Sequence, residues 1–103
     1  MVVNNEDNLL LQEGASEAAA MLRTLGNPHR LQVLCMLIEY GEMTVGDLNK
    51  YVELSQSALS QHLGKMRDEG LVTFRREAQT LHYRIDNADV AKIIATLKDI
   101  FCP

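Results

Sequence analysis

Apolar residues recur at helical spacing through most of the chain, and the period changes only after Gly70. Between Glu13 and Leu25, the residues Ala15, Ala18, Ala19, Leu22 and Leu25 fall on one face of a helix, and their small size permits close helix contact. Gly26-Asn27-Pro28 ends that segment, and Pro28 suits the first position of the next helix. His29 to Tyr40 follows, with Leu31, Leu34, Leu37 and Ile38 predicted inward and Gly41 as its stop. Thr44 is a candidate N-cap for a short helix running to about Tyr51, with Asp47 at the capping-box position. Ser55 is a second candidate cap, opening a polar helix to Glu69 whose inward positions are Leu59, Leu63 and Met66.

Beyond Gly70 the pattern turns to strands. Leu71 to Arg76 and Thr80 to Ile85 read as a hairpin, with Glu77-Ala78-Gln79 as the turn. Asp86 or Asn87 then caps a last helix from about Ala88 to Phe101, striped by Val90, Ile93, Ile94, Leu97 and Ile100. The predicted order is α–α–α–α–β–β–α: a mainly α fold with a small β-hairpin, a winged helix–turn–helix. Residues 1–12 are expected to be a flexible N-terminal segment and residues 13–103 a single DNA-binding and dimerisation domain.

Charge sharpens this picture. The net charge of -4 is unusual for a DNA binder. Residues 1–54 carry three Lys/Arg against eight Asp/Glu, whereas residues 55–85 carry five against three, so the only positive segment is the polar helix with the hairpin. There, Ser55, Gln56 and Ser57 stand at a helix N-terminus, which favours phosphate. Ser60, Gln61 and Lys65 share the outward side one and two turns on, flanked by His62 and Arg67. Gln reads adenine, Ser reads base or phosphate, and Lys reads phosphate or guanine. Arg75, Arg76 and Gln79 lie in or beside the hairpin tip, placed to follow the DNA backbone or enter the minor groove. The expected partner is double-stranded operator DNA.

Other classes find little support. No apolar run approaches the roughly 20 residues of a membrane helix, and no signal peptide opens the chain, so a cytoplasmic protein with no membrane partner is expected. The chain has no Gly-rich phosphate loop, metal-ligand cluster or nucleophile–base set, which argues against an enzyme and against a cofactor. The two cysteines should start as thiols. Taken alone, Cys35 reads as a small core hydrophobe and Cys102 as an incidental terminal thiol.

The segment Ser55-Gln56-Ser57-Ala58-Leu59-Ser60-Gln61-His62-Leu63, followed by Met66-Arg67-Asp68-Glu69-Gly70-Leu71-Val72, resembles the ArsR/SmtB family of small bacterial winged-helix repressors. Leu25-Gly26-Asn27-Pro28-His29-Arg30-Leu31 resembles the family's junction between its first helices, and the resemblance runs from about Glu17 to Pro103. It implies a homodimer formed through the first and last helices, here by Leu22, Val90, Ile93, Ile94, Leu97, Ile100 and Phe101, that leaves its operator when an inducer binds. The family's thiolate metal site at the start of the third helix has no counterpart, because Glu42 to Leu48 contains no cysteine. Its zinc-type site on the last helix is also incomplete: Asp86, Asp89 and Asp99 are present, but no His lies beyond His82. No metal site is therefore assigned.

Cys35 and Cys102 are similar to the cysteine pair of the BigR-like branch, and the closing Ile93 to Pro103 resembles that branch too. The implied inducers are reactive sulfur species, which would crosslink the two thiols by a disulfide or polysulfide and derepress sulfide-detoxification genes. Two alternatives stay open. One is an HlyU-like activator of virulence genes that displaces a silencer, and the other is a metal-responsive repressor with an atypical site.

Overall fold

A computed structural model of the chain describes residues 13–102. The expected flexible segment over residues 1–12 lies outside the described residues. The elements are α1 (Ala15–Leu25), α2 (Pro28–Tyr40), β1 (Met43–Thr44), α3 (Val45–Asn49), α4 (Gln56–Asp68), β2 (Val72–Glu77), β3 (Thr80–Ile85) and α5 (Ala88–Phe101). All five expected helices are present, and the short α3 ends two residues before the predicted Tyr51.

Side-chain caps set the starts of α2, α3, α4 and α5. The Asn27 side chain accepts from the amides of His29 and Arg30, with Pro28 as the first helical residue. Thr44 accepts from Asp47, Ser55 from Ala58, and Asn87 from Asp89 and Val90. The end of α4 is a Schellman motif. Gly70 sits at φ 77°, its amide donates to the Arg67 carbonyl, and Leu71 donates to Met66. This reversal buries Leu71 and carries the chain directly from α4 into β2.

The expected hairpin is part of a three-stranded antiparallel sheet in the order β1-β3-β2. The two residues of β1 pair with β3 at Met43↔Tyr83 and Thr44↔His82. A two-residue strand is too short to show alternation, so sequence alone reads it only as the approach to a cap. The wing turn is also tighter than predicted. Glu77 pairs with Thr80, leaving only Ala78 and Gln79 in the turn, and Ala78 adopts a positive φ of 56°.

One core lies between α2, α4, α5 and the sheet. Val33, Leu34, Leu48, Leu59, Leu63, Met66, Val90 and Ile94 are completely buried in it. Val33 faces inward although the sequence pattern passed over it, whereas Leu31 and Ile38 are only partly buried. The last helix also departs from expectation. Val90 and Ile94 pack wholly into the core of this chain, so neither is available for the expected dimer contacts. Their neighbours one position round the helix, Ile93 and Leu97, stay partly open, and Ile100 and Phe101 are exposed. The apolar stripe of α1 is almost entirely uncovered: Ala15, Ala18, Ala19 and Leu22 are exposed, and only Leu25 reaches the core.

A polar contact docks α4 against the start of α2. Arg30 Nε donates to His62 Nδ1 at 3.1 Å, and Arg30 Nη1 donates to the Thr24 carbonyl at 3.2 Å. The His29 ring lies 6.1 Å from that of His62. Because Nδ1 accepts, His62 must be neutral with its proton on Nε2. Burial, then the Arg30 and His29 charges, hold its pKa below the ordinary histidine value.

Two predictions follow from this packing. Leu63→Ala should lower the unfolding free energy by about 2–5 kcal/mol in a denaturant titration, since it empties a fully buried site. A depressed His62 pKa means that stability is fully present above about pH 6.5, the unfolded value, and declines as pH falls through the folded value. The melting temperature of the wild type should therefore drop more steeply on acidification below pH ~6.5 than that of His62→Gln, which retains an acceptor without titrating. Parallel curves for the two proteins would contradict the assignment.

Candidate DNA interface and thiol groove

The outward side of α4 is polar and open. Gln56, Ser57, Ser60, Gln61, Lys65 and Arg67 are all exposed, and the rigid core residues Leu59, Leu63 and Met66 hold the opposite side. Ser55 is exposed too, with its oxygen occupied by the Ala58 amide. Lys65 makes no ion pair among the described residues. His62 departs from this group. Its half-buried ring turns toward α2 and receives Arg30, so it supports the helix from behind instead of standing on the reading face.

The arginines divide into distinct roles. The Arg67 guanidinium stacks over the Phe74 ring at 4.6 Å, a cation–π contact that links α4 to the base of the wing. Arg75 is held by two carboxylates: its Nη2 lies 2.8 Å from Glu42, and its Nη1 lies 2.8 Å from Glu77. These hydrogen bonds, with Glu42 the larger influence, raise the Arg75 pKa further and lower those of Glu42 and Glu77. The positive charge of Arg75 is thus largely answered within the protein. Arg76 is exposed with no ion pair among the described residues, and Gln79 is exposed at the wing tip. Paired arginines look equivalent in sequence. Glu42 distinguishes them from a loop 33 residues away, where no local signal points to it.

The two thiols line a second feature. Cys35 on α2 is half-buried, Cys102 at the end of α5 is exposed, and both are free. They line one groove of about 670 Å³, with Met36, Tyr40, Tyr51 and Leu97 among its walls. Tyr40 and Tyr51 stack at 6.4 Å between ring centroids. Burial pushes the Cys35 thiol pKa up, the nearby Cys102 adds to this, and Lys98 partly offsets both. Lys98 in turn forms an ion pair with Glu39 across the groove. Sequence reading had singled out neither Lys98 nor Glu39. Among the described residues no three His, Cys, Asp or Glu side chains cluster as metal ligands, and no helix is long and apolar enough to cross a membrane.

Residues 27–73 match the model of the bacterial regulatory protein, arsR family. The HTH-type transcriptional regulator YgaV of Escherichia coli is 48% identical over 90% of this chain and 94% of its own length. The transcriptional activator HlyU of Vibrio cholerae is 42% identical, over 89% of this chain and 84% of its own. Among solved structures, the transcriptional repressor BigR from Xylella fastidiosa superposes with a TM-score of 0.83 at 38% identity, covering 98% of this chain and 99% of that one. These relatives are transcriptional regulators, not enzymes. The winged helix, the exposed polar face of α4 and these likenesses together place the chain in the arsR family of bacterial transcriptional regulators.

Proposed function

We propose that the chain is a cytoplasmic homodimeric repressor that leaves its operator when reactive sulfur species crosslink Cys35 to Cys102. The observation that carries this reading is the convergence of the two thiols in one groove, between the helix that supports α4 and the last helix. The name of a relative, the biofilm growth-associated repressor of Xylella fastidiosa at 39% identity, supports the repressor role.

The chemistry balances with sulfane sulfur as the oxidant. The exposed Cys102 thiolate takes a sulfur atom from a persulfide donor, which leaves as a thiolate, and Cys102 becomes a persulfide. The Cys35 thiolate then attacks the sulfur bonded to the Cys102 β-carbon and expels hydrosulfide. Two thiols have been oxidised to a disulfide, and the transferred sulfur has been reduced to sulfide. A longer sulfur chain attacked at an outer atom leaves extra sulfur in the bridge. Sulfide-detoxification genes are the targets that such an inducer would serve.

The new bond ties the end of α5 to α2. The dimer contacts still open to a partner are Leu22 on α1 and Ile93, Leu97, Ile100 and Phe101 on α5. A shift of α5 therefore changes how far apart the two α4 helices stand, against operator half-sites about 34–36 Å apart. Coupling of about 1–3 kcal/mol is enough to change affinity some 5- to 150-fold. The 42% identity to a protein named as an activator supports a second reading of the output, in which DNA occupancy displaces a silencer and raises expression. A reporter fused to the operator separates the two readings by sign in a deletion strain.

Polysulfide treatment of the reduced wild type should weaken operator affinity at least fivefold, while Cys102→Ser should keep its affinity. Equal release by both proteins contradicts the thiol reading. On the DNA side, Arg76→Ala should weaken binding and reduce the salt slope by about one. Arg75→Ala should change that slope much less, because Glu42 and Glu77 already answer its charge. Equal slopes for the two variants would contradict the division between these arginines.

A further inference from the structure

The groove holds two charged residues that the thiol chemistry above does not use. Glu39 lies one helical turn beyond Cys35 on α2, and Lys98 lies one turn before Cys102 on α5. Each helix thus contributes one thiol and one charge to the same surface, and the two charges meet in an ion pair across it.

We propose that Lys98 is the positioning residue that holds negative charge on sulfur in this groove, favouring anionic sulfur donors and the Cys35 thiolate, and that Glu39 restrains it by occupying its ammonium. The inference rests on the thiol reading and deepens it by naming the donor class: hydropolysulfide and persulfide anions. Neutral thiol oxidants should gain much less from Lys98.

Three observations support it. Lys98 lines the groove together with both thiols, and it is the only cation among the residues that line it. Its charge favours an ionised Cys35, against burial and the neighbouring Cys102, which both disfavour one. Its own protonated form is stabilised first by the hydrogen bond to Glu39, and also by negative charge on Cys35 and Cys102. The other titratable groups on the groove are Tyr40 of α2 and Tyr51 beyond α3. Lys98 is thus the group on the groove that offsets burial and Cys102 at the Cys35 sulfur.

An ion pair that merely clamps α2 to α5 would lose its effect equally when either partner is removed. An electrostatic role predicts opposite signs. Removing Lys98 takes away the stabilising charge, whereas removing the Glu39 charge frees the ammonium to act on sulfur.

The test measures the rate of Cys35–Cys102 crosslinking by intact mass, using inorganic polysulfide from about pH 6 to 10, in wild type, Lys98→Met, Lys98→Arg and Glu39→Gln. Each protein is also treated with diamide, a neutral azo oxidant, to show that its thiols still meet. With polysulfide near pH 7, Lys98→Met should slow by about three- to tenfold, and its pH–rate profile should move to higher pH. The effect sits at the low end for a neighbouring charge because the groove is open to solvent. Glu39→Gln should be faster than wild type, with its profile moved to lower pH, and Lys98→Arg should stay near wild type. The inference is overturned if Lys98→Met and Glu39→Gln slow alike, or if Lys98→Met follows the wild-type profile throughout. If the wild type itself crosslinks with neither reagent, the thiol reading falls and this inference falls with it. If it crosslinks while the Lys98 profile is unchanged, only this inference fails.

Discussion

The packing of α5 along α2 is the constraint on which the rest of the molecule depends. Val90 and Ile94 enter the same core as Val33, Leu34 and Leu37, and no polar or charged residue belongs to that core among the described residues. That seam fixes the groove that the two thiols line. It also leaves Ile93, Leu97, Ile100 and Phe101 on the open side of α5, while Arg30 of the same α2 supports α4 through His62. A fully buried side chain of this size contributes on the order of 1.5–3 kcal/mol, so the seam resists wholesale separation. Its outer end, where Ile100, Phe101 and Cys102 are exposed, can shift without emptying the core.

Electrostatics then decide what each surface does. The protein is acidic overall, yet the charges near α4 and the wing are arranged one by one. Arg67 is committed to Phe74 and Arg75 to Glu42 and Glu77, which stiffens the wing at its base. Lys65 and Arg76 keep their charge for an outside partner. Non-specific attraction to phosphate is weak in such a protein, so discrimination must come from shape and a few side chains. The thiol groove works by the same logic on a smaller scale. Burial and the neighbouring Cys102 disfavour the Cys35 thiolate, and Lys98, ion-paired with Glu39, partly offsets them.

Much of this was legible from local pattern. The helices follow from the 3.6-residue period, and the starts of α3, α4 and α5 follow from Thr44, Ser55 and Asn87, because a cap is a contact within three residues. Gly70 likewise marked the change from helix to strand, and the Schellman geometry of that reversal is seen only in the structure. What stayed hidden depends on long-range placement. The β1 strand exists only because β3 pairs with it. The five-residue stripe on α5 could not be divided into core and outward halves, since both are apolar and only the packing of this chain separates Val90 and Ile94 from Ile93 and Leu97. His62 looks like a reading-face residue until Arg30 is placed behind it, and Glu42, Glu39 and Lys98 acquire meaning only from partners far away in the chain.

The central claim is that a bond between α2 and α5 controls DNA binding at a distance from α4. It is tested most directly by titrating the reduced protein with a sulfane donor and reading crosslinked fraction by intact mass and bound operator by anisotropy on the same aliquots. The account predicts that operator release rises in step with the Cys35–Cys102 crosslink and reverses when a reductant opens it. Full crosslinking with the operator still bound, or release before any crosslink forms, would contradict it.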